Sequence, residues 1–160
     1  MLFYKIIGSC GIVVASLWFS MQSNRYREAK RKQIDAYISL ISFIRKQIEC
    51  YNLPIKDILS KYQNNKLLEC GVLYDSDVKS FEELLDSSTL IVDSDTYQIL
   101  YSFANEFGTS YYNAQLNSCD RCIDELKKIR ETHKEKSKKE GKLSFAICLS
   151  LSFSLIIILL

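Results

Sequence analysis

Proline occurs once in this chain, at Pro54, and glycine five times, at Gly8, Gly11, Gly71, Gly108 and Gly141. Both residues interrupt helices, so a chain this poor in them is expected to form long, unbroken ones. Histidine also occurs once, as His133 within a Lys/Glu-rich stretch. A catalytic nucleophile needs a base beside it, so a triad built on histidine is not expected. Phosphate-loop chemistry is missing too. Gly141-Lys142 has Lys136 where the loop needs its first glycine and Leu143 where it needs Ser or Thr. No alternating strand stands out; Thr89-Leu90-Ile91-Val92 is β-branched but only four residues long. Carboxylate pairs such as Glu82-Glu83 and Asp93/Asp95 fall at helix starts, where the helix dipole and solubility account for them.

Six cysteines are present, but they lack a metal framework. Cys119-Asp120-Arg121-Cys122 has ligand spacing, yet a structural zinc takes four ligands and there is no second cysteine pair. On a helix, positions 119 and 122 share a face and are expected to pack as small apolar side chains. No metal, cofactor or catalytic residue is expected.

Charge is missing from both ends of the chain. Residues 2–21 carry one charge, Lys5, and residues 143–160 carry none. At about 1.5 Å of rise per residue, such segments match a hydrocarbon core of roughly 30 Å. Two transmembrane helices, 1–21 and 143–160, are therefore expected, with residues 22–142 held between them. Basic residues flank both spans on the inner side: Arg25, Arg27, Lys30, Arg31 and Lys32 after the first, Lys138, Lys139 and Lys142 before the second. Lys and Arg beside a span stay cytoplasmic. The central domain is thus expected in the cytoplasm, its thiols reduced, with both termini outside. A cleaved signal peptide is disfavoured by the basic stretch that follows the first apolar run. A lipoprotein site at Cys10 is disfavoured because the apolar run continues past it.

The net charge of +2 hides a strong polarity. Residues 22–32 and 127–142 carry thirteen Lys/Arg against four Asp/Glu, a balance of +9, whereas residues 33–126 carry seven against fifteen, a balance of −8. The basic collar suits anionic membrane lipids. The acidic remainder repels nucleic acid and suits a basic protein partner.

The central domain reads as helices. Ile34, Tyr37, Ile38, Ile41, Ile44, Ile48 and Tyr51 form a stripe at three- and four-residue steps. Pro54 is expected at the first position of a second helix. Asp75 or Ser76 is expected to cap a third, Ser94 or Asp95 a fourth, and Thr109 or Ser110 to open a last long one after a stop at Gly108. Two long helices bracketing three short ones give an all-α, antiparallel bundle. The densest acidic stretch includes Glu82, Glu83, Asp86, Asp93 and Asp95, the candidate partner-binding residues. Small residues at four-residue steps, Gly11 and Ala15, then Ala146, Ser150 and Ser154, are candidate faces for packing of the spans, within the chain or in a homo-oligomer.

The layout resembles the stage III sporulation protein AB family. The resemblance rests on Arg25-Tyr26-Arg27 behind the first span, Leu53-Pro54-Ile55 with Ile58-Leu59, and Gly108-Thr109-Ser110 followed by Gln115. Tyr111 stands where the family has Asp, and serines occupy the last span where it has glycine. The resemblance implies a membrane component of a complex that feeds a channel between mother cell and forespore. It also implies a bundle similar to the platform protein of type II secretion machines, with a secretion-type ATPase and further membrane subunits as partners. The alternative from a different class is a membrane-tethered regulator or sensor whose helical hairpin responds to a ligand or lipid.

Overall fold

A computed structural model of the chain describes residues 2–51, 53–62, 65–72, 78, 80–107 and 111–159; in the terminal helical segments most side chains of 2–20 and 138–159 lie outside that description. The described residues form six helices and no strand: α1 (Leu2–Tyr51), α2 (Ile55–Lys61), α3 (Asn65–Glu69), α4 (Phe81–Ser87), α5 (Ser94–Glu106) and α6 (Tyr112–Leu159). The all-α expectation holds. Two compact units result: Met1–Glu28 with Thr132–Leu160, and Ala29–Glu131. α1 and α6 each contribute to both.

Among the described residues, no helix is long and apolar enough to cross a membrane. The two expected spans fall largely on positions whose side chains lie outside the described residues.

In the 29–131 unit, α1 and α6 run antiparallel. Contacts climb one helix as they descend the other: Arg130 Nη1 reaches Asp35 Oδ1 at 3.1 Å, Arg45 Nε reaches Asp120 Oδ1 at 2.6 Å, and the Tyr112 hydroxyl donates to the Glu49 carbonyl at 3.4 Å. The α1 stripe buries Ile34, Tyr37, Ile41, Ile44 and Ile48. Ile38 is only half-buried and Tyr51, at the helix end, is exposed. From α6, Cys119, Cys122, Ile123 and Leu126 join the core. Edge-on rings cross its centre, Tyr37 to Phe81 at 6.5 Å and Phe81 to Phe103 at 5.0 Å between centroids. Each such side chain, fully buried, contributes about 1.5–3 kcal/mol.

Among the described residues four short helices, not three, lie between the long ones. The additional one, α3, ends in a Schellman motif: the Val72 amide donates to the Leu67 carbonyl and the Gly71 amide to that of Leu68, with Gly71 at φ +79°. Leu67 and Val72 are both buried, which adds the hydrophobic contact typical of that motif. Other boundaries also differ. Pro54 is the N-cap of α2 rather than its first residue, and its carbonyl accepts from the Asp57 and Ile58 amides. α4 is capped by Ser80, not by Asp75 or Ser76, which lie outside the described residues. The Ser80 hydroxyl accepts from the Glu83 amide at 3.1 Å, the Ser-x-x-Glu capping signature. α5 is preceded by Asp93 as N-cap, but its carboxylate makes no capping bond because it is taken by Lys30. The expected stop at Gly108 and starts at Thr109 or Ser110 also lie outside the described residues.

Candidate functional site

The five acidic candidates divide into two groups. Glu82, Glu83 and Asp86 stand exposed on α4, and Asp95 is exposed in the first turn of α5. Asp93 differs: it is half-buried and ion-paired with Lys30 of α1. One of the basic flanking residues is therefore spent inside the fold, and Asp93 holds the start of α5 against α1. These acidic residues lie on α4 and at the start of α5, the α4–α5 flank.

Residues 80–120 hold seven Asp/Glu and not one Lys, Arg or His. Three of those carboxylates are neutralised, Asp93 by Lys30, Asp120 by Arg45 and Glu106 by Arg121. Two hydrogen bonds with Asp120 raise the Arg45 guanidinium above its ordinary range, the Asp120 and Glu49 charges adding to the effect. On the same flank Tyr97 and Tyr101, four residues apart on α5, stack with centroids 5.9 Å apart and planes 15° from parallel. The Tyr101 hydroxyl donates to Glu82 Oε1 at 3.4 Å, joining α5 to α4.

The other candidates are placed as follows. Arg25, Arg31, Lys32 and Lys139 are exposed and Arg27 is half-buried; the side chains of Lys138 and Lys142 lie outside the described residues. Gly11, Ala15, Ala146, Ser150 and Ser154 are all exposed. Among the described residues, a Cβ built on Gly11 would meet nothing within 4 Å. The Ser150 hydroxyl instead bonds back to the Ile147 carbonyl at 3.0 Å.

Cys119 and Cys122 are core residues. Burial pushes both thiols up to about 12, so they stay protonated at neutral pH. Among the described residues no three His, Cys, Asp or Glu side chains gather to hold a metal. A cleft of about 200 Å³ between α5 and α6 is lined by Phe103, Glu106, Ser118, Arg121 and Cys122. Three of its polar groups bond together, since Arg121 and the Ser118 hydroxyl both bond to Glu106.

Sequence reasoning missed Gln33. This side chain is fully buried, and all its polar capacity toward the loops is used. Its Nε2 donates to the carbonyls of Cys70 at 2.9 Å and Thr89 at 2.8 Å, and its Oε1 accepts from the Ile91 amide at 2.8 Å. With Lys30 three residues earlier, it ties the two irregular segments around α4 to α1. The signal was its place on the apolar stripe, four residues before Tyr37, where a polar residue needs a buried partner.

The described residues thus form an all-α bundle on two long helices that run antiparallel in the 29–131 unit. The chain belongs to the stage III sporulation protein AB family, whose sequence model matches residues 5–160. No curated protein and no solved structure matches it. Family membership gives the chain a place in sporulation.

Proposed function

We propose that this chain is a non-enzymatic membrane component of a sporulation transport complex between mother cell and forespore. Its paired helical arms are the anchor, and its bundle, in the cytoplasm, is the receptor for a secretion-type ATPase, in the manner of the type II secretion platform protein. The observation that carries this reading is the contrast between the two units. Apart from tyrosines, the large apolar residues exposed among those described are Val14, Trp18, Met21 and Ile147 in the arms, with Leu68 alone in the bundle. Exposed apolar surface of that kind is costly in water and favourable in lipid. The bundle buries its apolar residues and exposes a one-signed flank, the arrangement suited to steering a basic protein partner.

Two measurements test this. A reporter active only outside the cytoplasm should work when fused after Leu160 and fail when inserted at Asn64-Asn65; the reverse pattern refutes the topology. The chain, solubilised in detergent from sporulating cells, should retain the secretion-type ATPase through purification. Purification without that ATPase, under conditions that keep the other membrane subunits, refutes the receptor role.

A further inference from the structure

We propose that the α4–α5 flank is an arginine-receiving surface. The stacked rings of Tyr97 and Tyr101, with the Glu82 carboxylate beside them, form a cradle for an arginine presented by a protein partner. This rests on the receptor reading above and names the chemistry of that contact. Tyr97 is 40% exposed and Tyr101 37%, so among the described residues their rings offer flat, wettable surface. Their near-parallel stacking fixes both rings in one orientation. The Tyr101 hydroxyl, bonded to Glu82, fixes the carboxylate next to them. Among the described residues Glu82, Asp86 and Asp95 are in no ion pair, so these carboxylates are open to a cation presented from outside.

Arginine fits this arrangement better than lysine. A guanidinium is planar, weakly hydrated and forked, so it can lie along a tyrosine ring while its N–H groups reach a carboxylate. An ammonium is a strongly hydrated point charge and gains chiefly from the acidic field. Tyrosine and arginine are also the residue types that dominate the energetic centres of protein interfaces. Discrimination between the two cations therefore separates a built cradle from a merely acidic surface.

The test uses the full chain in a non-ionic detergent, titrated at low salt with fluorescent hexa-arginine and hexa-lysine peptides. The arginine peptide should bind about two- to fivefold more tightly than the lysine peptide. Y97A/Y101A should abolish that preference while leaving lysine-peptide binding unchanged. Y101F keeps the ring and should keep most of the preference. Equal binding of the two peptides to the wild-type chain, or a preference that survives in Y97A/Y101A, overturns the proposal. Co-purification with the ATPase separates this from the receptor reading. Loss of the ATPase from the wild-type chain, with the arginine preference intact, refutes the receptor role and leaves the cradle standing. ATPase retained equally by wild type and Y97A/Y101A overturns the cradle as its docking point. Self-association that disappears in Y97A/Y101A would assign the arginine to a second copy, through its exposed Arg25 or Arg31, and overturn the external partner.

Discussion

Replacing Gln33 by Ala removes a fully buried amide that makes three hydrogen bonds, to the Cys70 and Thr89 carbonyls and from the Ile91 amide. A lost hydrogen bond costs about 0.5–1.5 kcal/mol, and a buried group left without a partner about 1–3 kcal/mol. Cys70 and Ile91 are half-buried and Thr89 is exposed, so water can reach part of what is uncovered. The expected loss for Gln33→Ala is therefore about 2–4 kcal/mol, below the sum of three full penalties. The effect should also be local. In hydrogen exchange on the full chain, the Ile91 amide and the backbone of 70–72 should lose protection first, while the α1 amides of 37–48 keep theirs. Gln33→Glu is the sharper variant, because it retains the acceptor for Ile91 but sets a carboxylate oxygen against the carbonyls of Cys70 and Thr89. It should be more damaging above neutral pH than in acid, where a protonated carboxyl can donate again. Unchanged protection of Ile91 in Gln33→Ala, or uniform loss across the bundle, would refute the view that Gln33 fastens these loops to α1.

The Thr96 hydroxyl is buried without a hydrogen-bond partner in a side chain that is 0% exposed, so Thr96→Val should raise stability by about 1 kcal/mol, read as a higher denaturation midpoint. Burial pushes the thiols of Cys119 and Cys122 and the Tyr37 hydroxyl up to about 12. Their folded values lie above the ordinary ones, so the stability they contribute is complete below about pH 8.5 and declines as pH rises toward 12. C119A/C122A should show a shallower decline between pH 8.5 and 11 in denaturant titrations, and the exposed Cys50 should react with thiol reagents well before either buried thiol. Reversing Glu82, Glu83 and Asp86 to Lys should weaken binding of the ATPase by about 1–3 kcal/mol, more at low salt, with an unchanged helical circular-dichroism spectrum. Unaltered affinity at low salt would move the contact off α4.

What could be read from the sequence was whatever rested on period and composition. Scarce proline and glycine, and the 34-37-41-44-48 spacing, were enough for long helices, an antiparallel bundle and most of its core, because burial of one face leaves a 3.6-residue record. The short elements were less legible because their ends rest on single hydrogen bonds. Ser80 looked no different from Ser76 until its hydroxyl was seen on the Glu83 amide. Asp93 offered the composition of a cap, but an ion pair with a residue 63 positions away took its carboxylate. No local pattern reports such a partner. α3 was hidden for a related reason: five residues are too few for a period, and its Schellman turn is marked only by Gly71. Tyr97 and Tyr101 stand at helical spacing among aliphatics, a pattern that does not distinguish core from surface, and the structure leaves them exposed.

The distribution of ion pairs decides which acidic residues can report on a partner. Asp93, Glu106 and Asp120 each meet a cation held by the fold, at the start of α5, at its end and on α6. Reversing Asp93 or Glu106 sets two like charges against each other where α5 meets its neighbours, so a loss of binding there would follow from a displaced α5 as readily as from a lost contact. Asp86 and Asp95 have no such duty among the described residues, and reversing them changes the field of the flank without removing a support. The two groups should also differ in salt response. A defect from the exposed group fades as ionic strength rises and the Debye length falls to about 8 Å near physiological salt. A defect from the supporting group persists, because a misplaced helix is not restored by screening. Partner affinity measured across salt for Asp86→Lys and Asp93→Lys therefore separates an electrostatic contact from a structural one, and parallel salt curves would show that the flank acts only through the shape of α5.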